Sequence, residues 1–225
     1  MINPYENSIK NYVSIMLIQI KALKIKDESE DPFTYTSGNK GPIYVDNRKI
    51  ISYPIFKNVI ASFFAHILEF EIKEDITCII GGETAGMSFA EHLADLLNKI
   101  YFYVRKQIKG YGIKSRLVGD LNMLKGKAVL IEDLITDGRS KISFIEGIRD
   151  NIECNHTLVV FDREQGGAAK LKKMGVTLHS LTTLKDTLKI GKEHNFFNSE
   201  TYDYVQEYLQ DPKSWSEKRN FEWFD

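Results

Sequence analysis

In the first quarter of the chain the apolar residues recur at three- and four-residue intervals. Ile9, Val13, Met16, Leu17, Ile20 and Leu23 line one side of a helix, the mark of an amphipathic segment with one buried face. The acidic stretch 27–31 and Pro32 end it. Segments 33–38 and 43–45 then predict two short strands, a hairpin around the turn at Gly41 and Pro42. A second helical period follows in Ile55, Val59, Ile60, Phe63, Ile67 and Leu68.

From there the pattern alternates. Short apolar runs at 76–80, 101–104, 128–131, 158–161 and 176–181 predict strands. Between them, segments 89–100, 142–148 and 168–174 carry helical spacing. Strands that are apolar on both faces, separated by helices, imply an α/β fold with a parallel sheet flanked by helices on both sides.

Composition narrows the class. The hydrophobic fraction of 43% in 225 residues is enough for a sizeable core. A net charge of -1 argues against a general nucleic-acid binder. The two cysteines, Cys78 and Cys154, cannot form a disulfide framework, and Cys78 sits in an apolar run as a small core residue. Residues 1–10 lack the basic and apolar regions of a signal peptide, and no apolar run has membrane-spanning length. The expected compartment is a reducing cytoplasm, with neither nucleic acid nor membrane as a partner. The five histidines lack metal-ligand spacing and are expected on helix faces or at the surface.

Five segments carry candidate chemistry. In the first, an apolar strand runs into Glu132 and Asp133, then through Leu134 and Ile135 to Thr136, Asp137, Gly138, Arg139 and Ser140 before a helix. Ligands of open α/β sheets bind beyond the strands' carboxyl ends. A small-residue loop at a helix N-terminus offers backbone amides to a phosphate, and the carboxylates could accept from a ribose diol. Adjacent acids after a buried strand are costly unless paired or functional. Neither a Walker loop nor a dinucleotide fingerprint is present. The second segment, 105–116, holds five basic and no acidic residues. With Gly110 and Gly112 it reads as a mobile cationic lid over a polyanion. The third is the hairpin 33–48, the fourth the strand end Asp162, Arg163, Glu164 with Gly166, and the fifth the turn Gly81–Gly82 with Glu83, Thr84 and Gly86.

Segment 129–140 resembles the phosphoribosyl pyrophosphate signature of the type I phosphoribosyltransferases, and the set as a whole resembles orotate phosphoribosyltransferases over about residues 33–188. The resemblance implies a small N-terminal hood, placed with the first helix in residues 1–54, and a core within 55–210; the polar tail at 211–225, with Trp215, Trp223 and Phe224, lies outside it, and the sequence leaves open whether it packs on the body. It implies that Arg105, Lys106 and Lys109 are the basic positions of the catalytic loop. Tyr111 stands where the family usually has His, and its hydroxyl can still donate to pyrophosphate. Thr36 stands where many members have Lys, with Lys40 and Arg48 as nearby cations. Tyr44 and Val45 match positions that touch the pyrimidine, and Thr136 lies beside them in the expected site. Arg163 would hold the orotate carboxylate, a task suited to a planar bidentate donor. Glu132 through Ser140 would bind phosphoribosyl pyrophosphate, and the Gly81–Gly86 turn would meet pyrophosphate through its amides.

The implied reaction is displacement at the anomeric carbon, with Lys109 and Asp133 as catalytic residues. Mg²⁺ carried by the substrate near Asp133 and Glu132 is the implied cofactor, with no direct protein ligand set. The implied assembly is a homodimer whose lids serve the partner's site. Two rivals remain at this stage. A purine phosphoribosyltransferase has no use for Arg163 beside the hood. A phosphoribosyl pyrophosphate-sensing regulator would lack the lid cations and add a basic DNA-binding domain, and none is visible here.

Overall fold

The alternation becomes a sheet because each apolar strand has two faces to bury. The computed structural model describes residues 4–35, 37–107 and 115–224. In chain order these form α1 (Pro4–Gln19), β1 (Leu23–Ile25), β2 (Phe33–Thr34), β3 (Lys40–Gly41), β4 (Ile43–Val45), α2 (Pro54–His66), β5 (Ile76–Gly82) and α3 (Ala85–Leu97). There follow β6 (Ile100–Val104), β7 (Leu117–Val118), β8 (Lys127–Ile135), α4 (Arg139–Arg149), β9 (Glu153–Asp162), α5 (Gly167–Lys173), β10 (Thr177–Thr183), α6 (Leu184–Glu193), α7 (Ser199–Gln210) and α8 (Pro212–Lys218).

Among the described residues, six strands share one sheet in the order β10-β9-β8-β5-β6-β7. All neighbours run parallel except β6 and β7. Successive residues of β5 point to opposite faces. Ile79 joins the core built with α1, α2, α3 and α6, while Cys78 and Ile80 join the core built with α4 and α5. The expected parallel sheet with helices on both sides is therefore present, with one antiparallel edge strand that the sequence pattern did not reveal.

Several local expectations change. Leu23 keeps helical phase but begins β1, because Lys21 at φ 56° turns the chain out of α1. The expected hairpin is two separate pairings: β2 with β3 around Gly38, and β4 with β1. Pro42 has no N–H to donate, so it ends one ladder and lets the next begin. Asn98 at φ 49° caps α3, which leaves Ile100 in β6. β8 continues to Ile135, so Glu132 and Asp133 belong to the strand itself. Two of the five histidines lie on neighbouring strands: His156 Nδ1 and His179 Nε2 are 3.1 Å apart.

The tail packs on the body. Trp215 is fully buried against Tyr204, Tyr208 and Phe221. Beyond it, Asn39 of the β2–β3 turn and Phe224 exchange two hydrogen bonds: Asn39 Nδ2 donates to the Phe224 carbonyl, and Phe224 N–H donates to Asn39 Oδ1, both at 2.8 Å. The Lys40 ammonium sits 4.6 Å from the Phe221 ring centre. The tail thus clasps the turn of the hood. Asn39→Ala removes both bonds, and thermal unfolding should show Tm lowered by about 2–6 °C, a loss of roughly 1–1.5 kcal/mol. An unchanged Tm would show that the clasp adds nothing to stability.

Candidate active site

The carboxyl ends of β5, β6, β8 and β9 open on the same side because the strands are parallel. Four of the five segments meet there. Glu83 N–H donates to the Val104 carbonyl at 3.0 Å, and the Lys106 N–H donates to Glu83 Oε2 at 2.9 Å. These bonds join the Gly-rich turn to the start of the basic segment after β6. The Arg163 N–H donates to the Ile135 carbonyl and the Gly167 N–H to the Thr136 carbonyl, so the ends of β8 and β9 are stitched together. Gly138, at φ 81°, packs against Gly167 and starts α4. From the hood side, Asn47 Nδ2 donates to the Asp133 carbonyl at 3.1 Å.

These joints frame a cleft of about 280 Å³ lined by Arg48, Glu83, Thr84, Lys106, Glu132, Asp133, Ser140 and Lys141, among others. A wider recess of about 650 Å³, lined by Met87, Tyr103 and Arg105 among others, shares Glu83, Thr84 and Lys106 with it. A larger cavity lies elsewhere, between β1 and the α6–α7 junction, and meets the candidate segments only at Phe33.

The two carboxylates differ. Glu132 is only 4% exposed. Its Oε2 accepts from Lys141 Nζ at 2.5 Å in an ion pair buried on both sides. Burial pushes its carboxyl up to about 6, and Lys141 pulls it back. Asp133 is half-buried, with Oδ1 accepting from the Leu134 N–H at 2.9 Å. Burial also raises its carboxyl, and Lys141 and Arg48 oppose that rise. Ile135 is fully buried and Leu134 packs on the core. Asp137 pairs with the exposed Arg139, while Ser140 stands at the cleft.

On the hood, Tyr44 and Val45 point to opposite faces of β4. Tyr44 is exposed, its ring 5.6 Å from that of Phe33, whereas Val45 packs on the main core. Arg48 enters the cleft and Lys40 turns to the tail. The Arg163 Nε is buried without a partner, and its charge reaches the Tyr35 hydroxyl, which donates to the Ile43 carbonyl at 2.6 Å. Arg105 lies over the Tyr103 ring, 5.7 Å from its centre. Lys109, Tyr111 and Thr36 lie outside the described residues. Lys141 and Asn47 are site residues that the sequence reading missed. Lys141 sits nine residues from its partner, a spacing with no helical or strand meaning, and Asn47 carries no motif.

An open, mostly parallel sheet with a hood, a Gly-rich turn, a basic stem and an acidic strand end forms the fold of the type I phosphoribosyltransferases. No protein-family model matches the chain. The orotate phosphoribosyltransferase of Ruegeria sp. (strain TM1040) is 37% identical over 219 residues, 95% of each chain. The crystal structure of orotate phosphoribosyltransferase from Aeropyrum pernix superposes with a TM-score of 0.64 at 28% identity, covering 79% of this chain and 97% of that one. Leishmania donovani UMP synthase reaches a TM-score of 0.71 at 23% identity over 89% of this chain, a likeness of fold, and this chain spans 42% of that longer one. The chain belongs to the orotate phosphoribosyltransferase family.

Proposed function

We propose that this cleft transfers the phosphoribosyl group of phosphoribosyl pyrophosphate to orotate, giving orotidine monophosphate and pyrophosphate in pyrimidine biosynthesis. The observation that carries the reading is one opening in which the cations Arg48 and Lys106 share the lining with Asp133 and Glu132. An orotate ring nitrogen attacks the anomeric carbon as the bond to pyrophosphate breaks, so no protein nucleophile is required. The protein aligns the two reactants and neutralises the leaving group.

Each residue then has a task. Arg105, Lys106, Lys109 and Tyr111 take the pyrophosphate, with the amides of the Gly81–Gly86 turn. The 134–140 loop, through its amides and the Thr136 and Ser140 hydroxyls, takes the phosphate at the helix N-terminus. Asp133 accepts from the ribose diol, with Glu132 behind it. Tyr44, the backbone of Val45 and Thr136 bound the base, and Arg163 holds its carboxylate.

Among the described residues no group of three or more His, Cys, Asp or Glu could hold a metal ion. Asp133 and Glu83 are carboxylates lining the cleft, and Asp133 would lie near Mg²⁺ carried in on the substrate. Bound there, Mg²⁺ would neutralise charge on the departing pyrophosphate. The assembly we propose is a homodimer with shared sites, working in the cytoplasm. Among the described residues no helix is long and apolar enough to cross a membrane.

The test is depletion of orotate in the presence of phosphoribosyl pyrophosphate and Mg²⁺, with uracil and hypoxanthine as controls. Losing the charge-assisted contact to Arg163 should cost roughly 1.5–3 kcal/mol, so uracil should be used about ten- to a hundredfold less well. Equal use of uracil and orotate would remove that role from Arg163.

A further inference from the structure

A lysine in the first turn of a helix needs a reason. The N-terminal end of a helix favours anions, and lysine is almost never buried without a partner. Lys141 is the third residue of α4 and only 6% exposed. Its ammonium reaches Glu132 Oε2 at 2.5 Å and Ser140 Oγ at 3.3 Å. The seat on the other side is built for the same carboxylate. Side chains at Gly82 or Gly86 would collide with Glu132, so both positions are open only because they are glycine. Glu132 Oε1 rests in that seat without a well-formed hydrogen bond. The Gly86 N–H acts on the carboxylate from the seat, and Lys141 is the side chain that fixes where the glutamate lies.

We infer that Lys141 is a positioning residue for phosphoribosyl transfer, holding Glu132 in a buried ion pair so that, of the two acids at the end of β8, Asp133 alone presents a free carboxylate to the sugar. Glutamate is one methylene longer than aspartate, and unpaired it would reach into the cleft beside Asp133. Two free carboxylates would then meet a polyanionic substrate. The inference rests on the transferase reading of the cleft, and wild-type turnover of orotate is its separate control.

The test is a double-mutant cycle on the KM for phosphoribosyl pyrophosphate, with Tm recorded for each variant. Lys141→Met should raise that KM about tenfold or more while the KM for orotate moves less than threefold. In a Glu132→Gln background there is no charge to hold, so adding Lys141→Met should change the KM for phosphoribosyl pyrophosphate by less than threefold. This second comparison stands even if Lys141→Met alone does not fold, because the neutral pair of similar volume avoids an unpaired buried charge. A KM that rises equally in both backgrounds would mean that Lys141 touches the substrate itself, and would overturn the inference. A fall in Tm with unchanged KM values would overturn it too, leaving a purely structural ion pair.

Discussion

Asp133→Ala is expected to lower turnover by on the order of 10²–10³-fold while the protein stays folded. In the proposed reaction its carboxylate accepts from the ribose diol, and preorganised charged groups of this kind typically contribute about that much to a reaction that develops charge. The fold does not depend on it. The Asp133 carbonyl, which binds Asn47, and the strand pairing of β8 survive the substitution. Oδ1 holds a local bond to the Leu134 N–H. Burial raises the carboxyl's pKa above its ordinary value. A carboxyl raised in the folded state favours folding in its protonated form, and that contribution disappears as pH rises through the folded value. At neutral pH its ionised form is thus not a source of stability, and Tm should stay within a few degrees of wild type. Initial rates, calorimetric titration with phosphoribosyl pyrophosphate and Mg²⁺, and thermal unfolding together decide the matter. Unchanged turnover with unchanged binding would take Asp133 out of the site.

What the sequence made legible follows the physics of each element. The core strands could be read because burial on both faces demands unbroken apolar runs, and β5, β8 and β9 have them. The acidic strand end was readable for the opposite reason: Glu132 and Asp133 interrupt such a run. The hood was harder. β1 through β4 are two or three residues long, too short for a period to establish itself, and their pairing is set by Lys21 and Pro42 rather than by pattern. The partition of Tyr44 outward and Val45 inward depends on register, which adjacent letters do not carry. The Glu132–Lys141 pair was invisible because a lysine in a helix's first turn usually reads as surface. The tail was undecided because Trp215 stands in a polar segment and finds its apolar partners, Tyr204 and Tyr208, on α7.

Mixing Lys109→Ala with Asp133→Ala subunits, each nearly inactive alone, is expected to restore about a quarter of wild-type activity per subunit. The figure follows from the proposed shared sites. Random exchange makes about half of the dimers mixed, and each mixed dimer holds one intact site of two. In that site the strand end comes from the Lys109→Ala chain and the lid from the Asp133→Ala chain. Lys109 should be removable without loss of folding, because the stem is held by other atoms. The Arg105 N–H donates to the Arg116 carbonyl, and Arg116 Nε donates back to the Arg105 carbonyl, both at 2.9 Å. Arg116 Nη1 also donates to the Ser143 carbonyl on α4 at 2.6 Å. The lysine's charge is most useful as pyrophosphate leaves, so its loss should fall on kcat more than on binding. Differently tagged chains, copurified after mixing, establish that exchange has occurred. With exchange established and no activity regained, each lid must serve its own subunit, since a mixed dimer would then contain one site without Lys109 and one without Asp133.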